Sequence, residues 1–144
     1  MQVGFIVFEY CEKDDLFAYV KSGVTRGNLK LCRSLFYQIL LGVAHLHDQC
    51  GLSHSDLKLE NIVLSGDTYT PKLIDFAFSE QGLISNTRGT EQYLAPEQTA
   101  CMQAKGKMLY DGKQADVFSL GILLFTMYFG MPPFKQNTIE NPLL

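Results

Sequence analysis

The stretch HSDLKLEN, residues 54–61, sets an imidazole, a hydroxyl, two carboxylates, an ammonium and a carboxamide within one turn of chain. Leu57 and Leu59 are threaded between the polar groups, and the apolar run Ile62-Val63-Leu64 follows directly. Taken alone, Asp56, Lys58 and Asn61 suit a solvated loop. A second acid changes their weight: Asp75 closes the strand-like PKLID and opens a long stretch without periodicity. Two acids and an amide at the ends of paired strands make an oxygen-rich corner. Mg2+ takes oxygen ligands and commonly keeps waters and substrate phosphates. A lysine beside it would neutralise charge developing on a transferred phosphoryl group, and the remaining acid would orient an attacking hydroxyl.

Several elements must position these groups. Ile62 to Leu64 and Lys72 to Ile74 read as two short strands joined by the turn-rich SGDTYTP. From Asn28 to about Asp48, Cys32, Leu35, Phe36, Ile39, Leu40, Val43 and Leu46 recur at helical spacing, and Gly51 is a stop. DDLFAYVKSG, 14–23, has acids at its start and Lys-Ser-Gly at its end, the pattern of a short helix. VGFIVF, 3–8, reads as a buried strand, and 76–93 as a long functional or mobile loop. Helical character returns after Pro96 and is strong from Gln114 to Met131. Val117 to Phe134 carries no charge, but Pro132-Pro133 ends any helix near Met131. A helix from Val117 would reach only ~22 Å against a ~30 Å hydrocarbon layer, so it predicts a buried core helix. The expected class is α+β, a mostly helical unit with a small β-hairpin at one side.

The 144 residues suffice for one domain with its own core, and 47% hydrophobic content excludes a disordered tail. Twelve Lys and Arg against 15 Asp and Glu leave a net charge of -3, which gives no footprint for nucleic acid or an anionic membrane. Cys11, Cys32, Cys50 and Cys101 are scattered without a CxxC pair, which points to reduced thiols in the cytoplasm or nucleus, not to zinc or a disulfide scaffold. His45 and His47 read as ordinary helix residues, and Asp116 is placed to cap the core helix.

HSDLKLEN resembles the catalytic loop of eukaryotic protein kinases, His-Arg-Asp-Leu-x-x-x-Asn. DFA at 75–77 resembles their Asp-Phe-Gly, APE at 95–97 matches their Ala-Pro-Glu, and GTEQYLAPE and DVFSLGILLFTMYFGMPPF follow in the family's order. VFEYCEKDDLF, 7–17, is similar to the hinge between the two kinase lobes. The resemblance implies ATP and Mg2+ as cofactors and a Ser/Thr-bearing protein as substrate. Asp56 would take the hydroxyl proton, Lys58 would contact the γ-phosphate, and Asn61 and Asp75 would hold Mg2+. Backbone groups of Glu9 and Cys11 would meet the adenine edge, with Phe8 behind it and Asp15 on the ribose. His54 would pack near the Phe76 turn, and Asp116 would anchor the loop backbone. Lys58, and Thr90 ahead of the Ala-Pro-Glu, resemble Ser/Thr rather than tyrosine kinases. The hinge and YDGKQADVFSLG look broadly like calcium/calmodulin-dependent or AMP-activated-type kinases. GTEQYLAPE and Lys58 speak against the aminoglycoside-kinase-like small-molecule phosphotransferases.

Departures from the pattern carry their own expectations. Ser55 replaces an arginine that in many kinases pairs with an activation-loop phosphate, so activity is expected not to depend on phosphorylation at Ser85 or Thr87 through this position. Ala77 replaces a glycine, which would bias how freely Asp75 and Phe76 flip. The chain reads as a central piece of a kinase domain, with 1–11 the last small-lobe strand and hinge and 12–144 an incomplete large lobe. Without a Gly-rich loop, a strand lysine or an arginine for Glu97, these residues alone are expected to turn over weakly or not at all and to be of low stability. The alternative is a catalytically inactive, kinase-like interaction module.

Overall fold

The computed structural model describes residues 4–105 and 107–134. Its helices are α1 (Leu16–Lys21), α2 (Leu29–Asp48), α3 (Pro96–Gln103) and α4 (Gly112–Phe129). The strands β1 (Leu52–Ser53), β2 (Ile62–Ser65), β3 (Thr70–Leu73), β4 (Glu80–Gln81), β5 (Leu83–Ile84) and β6 (Tyr110–Asp111) pair antiparallel as β1–β4, β2–β3 and β5–β6. The result is an α+β unit of helices with small two-stranded ribbons at the edges.

α2 forms where the apolar spacing demands it. Leu31 N donates to Asn28 Oδ1 at 3.1 Å to cap its start, and Cys32, Leu35, Ile39, Val43 and Leu46 are buried along one face. Leu120, Ile122, Leu123 and Met127 of α4 join that face in one core. Leu57, Leu59, Ile62 and Leu64 complete it, so the leucines threaded through HSDLKLEN sit 1% exposed each. Full burial of a leucine contributes about 1.5–3 kcal/mol, and here it also holds the polar residues between them at the core's edge. α4 ends at Gly130, whose left-handed φ of 77° lets its N–H donate to Thr126 O at 2.8 Å, ahead of the two prolines. No helix among the described residues is long and apolar enough to cross a membrane.

The structure corrects several expectations. Residues 4–8 form no strand: Phe5, Ile6, Val7 and Phe8 are all exposed, and Val3 lies outside the described residues. A strand needs a partner for its backbone, and no described residue pairs there. The loop 76–93 contains β4, β5 and a single 3-10 turn, Glu91–Tyr93, elements too short to leave a period in the sequence. Asp111, not Asp116, caps α4, accepting from Lys113 N at 2.9 Å. The helix also starts at Gly112 and stops at Phe129, earlier at both ends than the apolar run suggested. Glu97 is exposed, so no uncompensated charge is buried at Ala-Pro-Glu.

Candidate active site

The loop 54–61 is held from beneath by α4. Asp116, 1% exposed, accepts from His54 N through Oδ2 at 2.7 Å and from Ser55 N through Oδ1 at 2.9 Å. His47 Nε2 of α2 meets the same Oδ2 at 2.8 Å, so a histidine expected to be an ordinary helix residue belongs to this anchor. Lys113 Nζ donates to His47 O at 2.5 Å and ties the end of α2 to the start of α4. His54 is fully buried, with its ring 5.2 Å from that of Phe76. Its Nε2 lies 3.0 Å from Ile74 O, a group that can only accept, so Nε2 carries a proton. Nδ1 is then free to accept from Asp56 N at 3.4 Å.

Asp56 is buried, and both of its carboxylate oxygens are engaged. Thr90 donates to Oδ1 twice, from its backbone N and from its hydroxyl, each at 3.0 Å. Asn61 Nδ2 donates to Oδ2 at 3.0 Å and to the Asp56 carbonyl at 2.9 Å. Lys58 Nζ stands 2.9 Å from Oδ2 and donates to Thr90 Oγ1 at 2.9 Å. The carboxylate is thereby fixed in orientation by three side chains and a backbone N–H. Charge-assisted bonds of this kind are among the stronger ones in proteins.

Both amide hydrogens of Asn61 are spent on Asp56, which leaves Oδ1 as its remaining acceptor. Ile74 N donates to Asn61 O at 3.0 Å, so the chain delivers Asp75 beside Asn61. Asp75 is exposed, has a φ of 61°, and accepts from Ala77 N at 3.3 Å. The left-handed residue of this turn is therefore Asp75, two positions before Ala77, where glycine is replaced. An amide oxygen and a carboxylate are hard donors that fit Mg2+. No group of three or more His, Cys, Asp or Glu that could hold a metal occurs among the described residues.

The residues expected at the nucleotide are not gathered equally. Asp15 bridges to Val63 and Leu64 N donates to Asp14 O at 3.2 Å, tying this turn to the strand that follows Asn61. Asp15 Oδ1 accepts from Ala18 N at 2.8 Å as the cap of α1. Cys11 is half-buried, whereas Phe8 and Glu9 are exposed. Glu9 meets Lys72 at 3.3 Å, a surface pair of small energetic weight. Ser85 and Thr87 lie on the segment between β5 and the 3-10 turn, and Thr87 Oγ1 donates to Gln98 O at 2.9 Å.

Sequence reasoning did not name Thr90, Tyr93 or His47 as site residues. Thr90 had a signal, its place before Ala-Pro-Glu; His47 had none, because its partner is 69 positions away. Tyr93 packs in the main core, and burial, aided by the charges of Glu60 and Asp56, pushes its phenol up to about 12.

The family model for the protein kinase domain matches residues 2–143. The chain is 33% identical to serine/threonine-protein kinase ksp1 of Schizosaccharomyces pombe, over 96% of this chain and 30% of that protein. It is 36% identical to testis-specific serine/threonine-protein kinase 5 of Mus musculus, over 94% of this chain and 37% of the relative. For CBL-interacting serine/threonine-protein kinase 20 of Arabidopsis thaliana the identity is 35%, over 94% and 30%. The chain thus spans little more than a third, or less, of the length of these relatives.

Proposed function

The chain belongs to the protein kinase family, and we propose that it carries the catalytic loop and the metal-binding acid of a Ser/Thr protein kinase. The observation that carries this reading is the Asp56 carboxylate, held at once by Thr90, Asn61 and Lys58. Asp56 orients the hydroxyl of a protein Ser or Thr and receives its proton as the new P–O bond forms and the bond to the leaving diphosphate breaks. Lys58, held near Asp56, offers positive charge to the moving phosphoryl group. Asn61 Oδ1 and Asp75 would hold Mg2+, which when bound neutralises charge on the nucleotide phosphates. The Glu9 and Cys11 backbone, Phe8 and Asp15 would form the nucleotide side. The four free thiols support a cytoplasmic or nuclear setting.

The test is phosphoryl transfer from MgATP to Ser/Thr peptides by the full-length protein that contains this segment. Asp56→Asn keeps the shape of the side chain and removes its basicity, and kcat should fall about 10²- to 10⁴-fold with ATP affinity unchanged by calorimetry. A parent protein with no transfer would assign the segment to a kinase-like interaction module, and an Asp56→Asn protein as active as its parent would remove Asp56 from the chemistry.

A further inference from the structure

Ser53 and Ser55 flank His54, and both are buried, at 2% and 8% exposure. Ser53 Oγ lies 3.1 Å from Glu80 O and 3.0 Å from Ser55 Oγ. The carbonyl can only accept, so the single hydroxyl proton of Ser53 goes to Glu80 O, and Ser55 must be the donor to Ser53. The bonds therefore run in one direction, Ser55 to Ser53 to Glu80. They lie alongside the β1–β4 pairing, in which Ser53 is opposite Glu80 and Leu52 opposite Gln81.

Ser55 also has a φ of 66°, a left-handed conformation that is strained for a non-glycine residue. Its N–H on Asp116 and its hydroxyl on Ser53 hold it there. On its other side the Ser55 carbonyl packs against Gly89, where a Cβ would come within 2.9 Å of that oxygen and 3.6 Å of Asp56 Oδ1. Gly89 itself has a φ of 114°, open to glycine and strained for any other residue. The next residue, Thr90, gives Asp56 two of its hydrogen bonds. Ser55 thus touches both ends of the segment 80–90, the start through Ser53 and the end through Gly89. α4 closes the same corner, since a Cβ on Gly112 would overlap Ser53 Oγ and Ile84. No ion pair among the described residues involves this segment; hydrogen bonds, including those of Thr90 to Asp56 and Lys58, and packing hold it.

We propose that Ser53 and Ser55 are a positioning pair for Asp56: their hydroxyl relay to Glu80 fixes the segment 80–90 and with it the Thr90 contacts that aim the Asp56 carboxylate. The proposal rests on the kinase reading for its effect on rate, but not for its effect on the segment. Ser53→Ala, Ser55→Ala and the double variant of the full-length protein are compared with the parent by steady-state kinetics and by hydrogen–deuterium exchange. Each single change should lower kcat about 3- to 10-fold with KM for ATP within about twofold, and speed exchange across 80–93 without speeding it in α2. The double variant should fall no more than about twofold below the worse single one, because both remove the same relay. Losses that multiply, unchanged exchange in 80–93, or exchange that rises equally in α2 would each overturn the pair's role. A parent that transfers no phosphate overturns the kinase reading instead, and the exchange in 80–93 then decides whether the relay holds the segment.

Discussion

From Ser53 to Asn61, the side chains of Ser53, His54, Ser55, Asp56 and Asn61 are buried and each is hydrogen-bonded. From Asp75 to Phe78 every residue is exposed, and the hydrogen bond of the Asp75 carboxylate among the described residues is the 3.3 Å contact with Ala77 N. Both stretches contribute an acid to the proposed chemistry, and they are built in opposite ways. A carboxylate that must face a neutral hydroxyl gains little orientation from its substrate, so the fold has to orient it beforehand. A carboxylate that meets a doubly charged ion draws strong electrostatic attraction from the ion itself, and can be left exposed until then.

This contrast predicts a large difference in stability effects. Asp116→Ala leaves the buried N–H groups of His54 and Ser55 without an acceptor and should cost about 3–5 kcal/mol in denaturant unfolding. Asp75→Ala, on an exposed acid, loses only the bond to Ala77 N and aspartate's tolerance of a left-handed φ, and should cost no more than about 1 kcal/mol. Equal costs would mean that the two stretches are equally braced.

A smaller effect comes from Tyr93 in the core against which the 54–61 loop is built. Its phenol, raised in the folded state to about 12, holds its proton more tightly than in the unfolded chain. That contribution is complete below about pH 10 and is lost as the pH rises toward 12, with a limit of roughly 2–3 kcal/mol for a buried group. Unfolding measured at pH 8, 10 and 11.5 should fall less steeply for Tyr93→Phe than for the parent. Tyr110, also raised by burial, titrates in both proteins and cancels. Parallel pH curves would show that burial of the Tyr93 phenol does not contribute.

The smallest effect lies at the residue that follows the exposed stretch. Ser79 Oγ is buried without a partner among the described residues. Ser79→Ala should therefore be neutral or stabilise by up to about 1 kcal/mol, unlike changes at the bonded serines of the 53–61 stretch. A melting temperature lowered by several degrees would reveal a bond that the hydroxyl makes after all.

Much of this was legible in the residues. α2 could be read because apolar positions recur at helical spacing, five of them buried along one face although Leu40 is exposed, and β2 and β3 because turn residues separate two short apolar runs. Asp56, Lys58, Asn61 and Asp75 stood out by type and spacing. The two-residue strands β1, β4, β5 and β6 could not be read, since each forms only when a distant partner arrives. VGFIVF misled because composition reports a preference for burial, not whether a covering surface is present among the described residues. The left-handed backbone of Ser55 left no mark at all, because serine has no local reason to adopt it.

The sequence by itself determined which groups are available for the proposed phosphoryl transfer and which apolar spacings would carry them, because side-chain chemistry and helical period are local properties. Only the tertiary structure decided how the groups are aimed. His47 reaching Asp116, Thr90 reaching Asp56 and Ser53 reaching Glu80 all join residues from different elements. Their directions follow from how α2, α4 and the long segment pack around two buried leucines, a cooperative result that no single stretch of residues encodes.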